Sequence, residues 1–196
     1  MVIGGRPLDP RIEVPYVDND NVEAARRAAR YMRDLGRRRV ATIAGPQDMS
    51  AGVDRLTGFR QGMGREFRKS LVEYGDFTTG SGEEATRRLL DRHPDIDGLF
   101  VASDLMALGA ISVIRRGGRR VPEDIAVVGF DDIDLARPAE PSLTTMRQLT
   151  QRQGRLMARL MLRTLGHQPA GVIPEPTSAD GRGIILEVEL VQRESA

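Results

Sequence analysis

The sequence predicts an α/β fold, a mostly parallel sheet flanked by helices. Short apolar runs of strand length recur along the chain, such as Val40–Ala44, Leu99–Ala102 and Ile125–Phe130. Between them lie segments with an apolar residue every three or four positions, and Gly or Pro stands at the joints. The 196 residues are 40% hydrophobic and 29% charged, which suits one sizeable core or two small ones and argues against disorder.

Met1–Gly5 reads as a short strand. From Asn19 the pattern turns helical, with Val22, Ala25, Ala29, Met32 and Leu35 on one face. Asp18 or Asp20 can cap its start and Gly36 its end. Val40–Ala44 is a buried strand broken by Gly45-Pro46. The next helix carries Val53, Leu56, Phe59 and Met63 on its inward stripe, leaving Arg55 off it. Leu71–Tyr74 is a weaker strand. A helix after Ser81 turns Ala85, Leu89 and Leu90 inward and stops at His93-Pro94. Ser103 follows the strand Leu99–Ala102 and can cap a helix with stripe Ala107, Ala110, Ile111 and Ile114, ended by Gly117-Gly118. Ile125–Phe130 is the next strand. Past Asp131 the rhythm changes: Pro138 and Pro141 mark a loop, and Leu143–Met146 reads as a strand. A helix from Gln151 to Leu165 buries Leu156, Leu160 and Leu165. The tail holds Val172-Ile173, a turn-rich stretch from Pro174 to Gly183, and one final strand, Ile184–Val191.

Several chemistries lack their residues. The formal net charge is only +1 and aromatics are few, which disfavours nucleic-acid binding by this stretch itself. The cations are arginine, with Lys69 the only lysine. With no cysteine there are no disulfides or thiolate metal sites, and His93 and His167 sit at helix ends, so no metal is expected. Asp18-Asn-Asp-Asn21 lacks the glycine and distal glutamate of a calcium loop, and Asp131, Asp132 and Asp134 suit capping better than a metal. Gly80-Ser-Gly82-Glu-Glu-Ala85 matches the dinucleotide fingerprint loosely but does not follow a buried strand directly. A phosphate loop, a Gly-x-Ser-x-Gly elbow and a catalytic constellation are all missing, so the expectation is no enzyme and no cofactor. There is no apolar run of membrane-spanning length and no signal-peptide core at Met1, which reads as a soluble cytoplasmic protein.

In an open parallel sheet, ligands bind beyond the carboxyl ends of the strands. Arg55, Asp76-Phe77-Thr78, Ser103-Asp104 and Asp131-Asp132 all follow such ends. A guanidinium fork and carboxylates hold hydroxyls in fixed directions, and an aromatic face covers the apolar side of a ring. The set suits a small, neutral, hydroxyl-rich ligand. Taken one at a time, Ser103 can be only a cap, the aspartates only strand ends, Arg55 only a surface cation and Phe77 only core.

Blocks in fixed order then carry a resemblance. They are Val17-Asp-Asn-Asp-Asn21; Gly36-Arg-Arg-Arg-Val-Ala-Thr-Ile-Ala-Gly-Pro46; Asp54-Arg-Leu-Thr-Gly-Phe59; Gly75-Asp-Phe-Thr78; Phe100-Val-Ala-Ser-Asp-Leu-Met-Ala-Leu-Gly109; Val121-Pro-Glu-Asp-Ile-Ala-Val-Val-Gly-Phe-Asp-Asp132; and Pro141-Ser-Leu-Thr-Thr145. Together with the tail Leu190–Glu194, they resemble bacterial transcription regulators of the lactose-repressor (LacI/GalR) type over essentially the whole chain. The resemblance implies a periplasmic-binding-protein-like fold of type I, with two α/β lobes and a ligand cleft between them. It implies one complete second lobe, 18–146 with 167–196, and a remnant of the first, 1–17 with 147–166. It maps effector contacts onto Arg55, Phe77, Ser103 and Asp131; several relatives carry asparagine at the Ser103 position. It implies a sugar effector, a homodimer, and a regulator, a repressor by preference, that holds operator DNA only through a helix-turn-helix headpiece not present before Met1. A solute-binding protein serving a sugar transporter is the alternative of the same fold.

Overall fold

The computed structural model describes residues 1–167 and 177–196. In chain order the elements are β1 (Ile3–Gly4), β2 (Tyr16–Asn19), α1 (Asn21–Asp34), β3 (Val40–Ala44), α2 (Ser50–Met63), β4 (Val72–Tyr74), α3 (Thr79–Arg92), β5 (Gly98–Val101), α4 (Asp104–Arg116), β6 (Ala126–Asp131), β7 (Thr144–Arg147), α5 (Thr150–Thr164), β8 (Gly183–Leu186) and β9 (Glu189–Val191). Short 3-10 turns interrupt the loops. Val172-Ile173 lies outside the described residues. The chain divides into two compact units: unit 1 is Met1–Asp20 with Gln148–Val188, and unit 2 is Asn21–Arg147 with Glu189–Ala196.

Unit 2 is built on a six-stranded sheet of order β4-β3-β5-β6-β7-β9, parallel except for β9. Its central strands are buried along their length, so they read in sequence as continuous apolar runs. Successive side chains still face opposite sides. Ala41, Ile43, Leu99 and Val101 join Ala85 and Leu89 of α3 and Ala107, Ala110 and Ile114 of α4 in one core. Phe100 points the other way and stacks on Phe59 of α2, with ring centroids 5.6 Å apart.

Helix α2 departs from its expected face. Val53 and Leu56 are only half-buried, and the inward residues are Gly52, Arg55, Gly58, Phe59, Gly62 and Met63. A Cβ on Gly58 would collide with the Val22 carbonyl, and one on Gly62 with Ala29 and the Arg26 backbone. The glycines therefore let α1 and α2 approach closely, which turns Arg55 inward rather than off the buried face. Helix α3 starts at Thr79, earlier than expected, because the Thr78 hydroxyl accepts the Ser81 amide at 3.2 Å. Leu90 on α3 is half-buried.

Unit 1 holds a three-stranded parallel sheet of order β1-β2-β8, with α5 against it. Val17, Leu156, Leu160, Ile184 and Leu186 form its core. Leu165, expected inside, is 66% exposed, one residue past the helix. The expected final strand 184–191 is in fact two strands in two sheets: β8 pairs with β2, and β9 pairs antiparallel with β7. Residues up to Val188 thus belong with unit 1, not with 21–147, and the first break falls after Asp20 rather than Val17.

Candidate functional site

Within unit 2, the carboxyl ends of β3, β5 and β6 bring the singled-out residues together. Arg55 reaches inward from α2 and is only 5% exposed. Its Nη1 donates to the Ala102 carbonyl at 2.6 Å and to Asp131 Oδ1 at 3.2 Å, and its Nε donates to Asn21 Oδ1 at 2.9 Å. The guanidinium carbon lies 3.7 Å from the centre of the Phe130 ring and 5.8 Å from that of Phe77. Oxygen partners and aromatic faces offset the desolvation of this charge. Asp131 ends β6 and keeps 26% of its side chain at the surface. A partly open carboxylate anchored by a fixed cation can accept hydrogen bonds from hydroxyls in fixed directions.

Phe77 is held by its surroundings. A Cβ on Gly45 would enter its ring, so the glycine after β3 makes the space it occupies. Among the described residues, only Phe77, Asp131 and Asp132 combine positive φ with a side chain, at 69°, 115° and 58°. Strained backbone of this kind costs free energy and gathers where side chains must be aimed.

Ser103 is the least engaged of the four. It is buried, and its hydroxyl accepts the Met106 amide at 3.4 Å as the cap of α4. It adjoins the cluster through Ala102, whose carbonyl Arg55 binds.

Sequence reasoning does not single out Asn21 and Phe130, which hold Arg55, whereas the two further carboxylates it places at the strand ends, Asp104 and Asp132, are engaged by the protein's own donors. Asn21 follows the candidate caps Asp18 and Asp20, and Phe130 closes an apolar strand, so neither carries a binding signal in sequence. Asp104, with no exposed surface, accepts from Thr145 Oγ1 at 2.6 Å and from the Ile133 amide at 3.0 Å. Gly129 leaves room for it, since a Cβ there would strike Asp104 Oδ1. Burial pushes this carboxyl up to about 7, with Asp131 and Asp132 adding to the rise. Asp132 is different. Burial alone would raise it, but hydrogen bonds from Arg147 and Arg193 hold it below its ordinary value. No group of three His, Cys, Asp or Glu able to hold a metal occurs among the described residues. None of their helices is long and apolar enough to cross a membrane.

A parallel sheet with a polar cluster at its carboxyl edge places the chain among the open α/β folds, whose ligands sit beyond that edge. Residues 29–196 match the periplasmic binding protein-like domain family, and the chain belongs to it, in the form found in LacI-type regulators. It is 50% identical to the HTH-type transcriptional regulator CelR of Thermobifida fusca over 99% of this chain and 56% of that protein. It is 38% identical to the HTH-type transcriptional repressor CytR of Escherichia coli over 83% of this chain and 48% of the repressor. The chain thus spans about half the length of the curated relatives it matches. Among solved structures, the CelR–cellobiose complex superposes with a TM-score of 0.89 at 50% identity, over 100% of this chain and 58% of that one. A dimeric Lac repressor with a C-terminal deletion gives 0.84 at 26% identity, over 100% and 68%.

Proposed function

We propose that this chain is the effector-binding part of a sugar-responsive, DNA-binding transcription regulator, a repressor by preference, acting in the cytoplasm and not as an enzyme. The observation that carries the reading is the Arg55–Asp131 pair at the carboxyl edge of the sheet, with Phe77 beside it. The carboxylate accepts ligand hydroxyls, the guanidinium fixes and polarises it, and Phe77 covers the apolar face of a sugar ring. Ser103 contributes through the position of its backbone next to Ala102. Unit 2 is the lobe that recognises the effector, and unit 1 is part of the other lobe. Effector binding shifts a two-state equilibrium that sets operator affinity through a helix-turn-helix segment. By analogy with the dimeric Lac repressor, the working form is a homodimer. Because its relative CelR was solved with cellobiose, that disaccharide heads the ligand panel.

The test is calorimetry of the chain against mono- and disaccharides, with Asp131→Asn as control. Saturable heat with one sugar, lost in the variant, supports the reading. No heat with any sugar, or equal heat in the variant, sinks it.

A further inference from the structure

Beside the proposed ligand pair stands a carboxylate that this chemistry does not use. Asp132 keeps only 10% of its side chain exposed, and each of its oxygens accepts from a different guanidinium. Oδ2 takes Arg147 Nε at 2.5 Å, and Oδ1 takes Arg193 Nη2 at 2.5 Å. The places of those arginines in the chain are what matter. Arg147 is the last residue of unit 2 before the chain passes to unit 1, and the chain returns at Glu189. Arg147 pairs with Glu189 across the β7–β9 ladder. Arg193 follows β9, and its Nη1 also donates to the Leu143 carbonyl just before β7, at 2.6 Å. The remaining passage, Asp20 to Asn21, is held from the same site, since Asn21 accepts from Arg55.

We propose that Asp132 is a positioning residue that transmits occupancy of the Arg55–Asp131 site to the two strands by which the chain leaves and re-enters unit 2. The inference rests on the reading of Arg55 and Asp131 as effector contacts. The shared backbone is the lever. Asp131 and Asp132 are consecutive positive-φ residues that share a peptide unit, so a ligand that shifts the backbone at Asp131 shifts Asp132 with it. Both oxygens of Asp132 are already committed to guanidiniums, so that motion is passed to Arg147 and Arg193 rather than absorbed by water.

The test is amide hydrogen exchange on the chain, as wild type and as Asp132→Asn, with and without saturating cellobiose. Without ligand, the variant should exchange at least about tenfold faster at residues 145–147 and 189–193, with β3 and β5 unchanged. An equal rise everywhere, or no rise, overturns the clamp. With cellobiose, the wild type should slow about fivefold or more at those residues, and the variant should bind the sugar without slowing there. Binding by the wild type without that slowing, or equal slowing in the variant, overturns the inference but leaves the proposed function standing. If no sugar binds, the proposed function fails and the transmission role falls with it, while the ligand-free comparison still decides the clamp. Should Asp132→Asn not fold, Arg147→Gln replaces it, with the rise expected at Asp131 and Asp132.

Discussion

Replacing Asp104 by asparagine should change how stability depends on pH, by an amount the structure sets. The carboxyl is fully buried at the head of α4, and burial lifts it from 3.8 to about 7. A group whose folded value lies above its unfolded value favours the fold most when protonated. Its contribution is therefore complete below about pH 4 and lost as pH rises through 7. A displacement of roughly 3 pH units corresponds to roughly 4 kcal/mol. Asparagine keeps the shape, offers an oxygen to the Ile133 amide, and can donate to the Thr145 hydroxyl. The assay is urea unfolding of both proteins from pH 4 to pH 8, followed by the helical circular dichroism signal. Other titrating groups are common to both, so they cancel in the difference. The variant should gain on the wild type by a few kcal/mol across that range, most steeply between pH 4 and 7. Parallel stability curves would refute the argument that Asp104 holds a proton at the site.

Arg55→Met should cost about 2–3 kcal/mol in urea unfolding, because it strips partners from Asn21, Ala102 and Asp131, and it should abolish sugar heat in calorimetry. Phe77→Ala should weaken cellobiose binding about tenfold, the worth of one aromatic face, and an unchanged affinity would remove that residue from the site. Gly58→Ala should destabilise unit 2 by about 1–3 kcal/mol, since the added methyl meets the Val22 carbonyl, and its effect should appear in the unfolding midpoint. Leu165→Lys should stay within about 0.5 kcal/mol of the wild type, because the side chain is already 66% exposed.

Strand positions were legible because the parallel strands are buried on both faces and leave unbroken apolar runs; Val40–Ala44 has the same limits in sequence and structure. Helix α4 was legible for the complementary reason, its stripe Ala107, Ala110, Ile111 and Ile114 being buried throughout. Helix α2 was not, because Gly52, Gly58 and Gly62 carry no hydrophobic signal, yet it is their lack of side chain that lets the Gly45-Pro46 backbone approach at Gly52 and α1 at Gly58 and Gly62. The break in the final strand was invisible because 184–191 keeps a continuous β pattern while its partners, β2 and β7, lie far away in the chain. The meeting of Arg55 with Asp131 followed from the rule that parallel strands gather their carboxyl ends. Asn21, Phe130 and the twin arginines on Asp132 depend on side-chain directions that no spacing announces.

The β7–β9 pairing also says how the two units share one chain. Arg147 and Glu189 face each other at the end of an antiparallel ladder. Residues 148–188 therefore occupy the place of a hairpin loop, and a two-residue Asn-Gly turn could join Arg147 directly to Glu189. Viewed this way, unit 2 is a nearly self-sufficient piece with a long insertion at one turn, and a shortened protein lacking that insertion retains all six strands of the larger sheet.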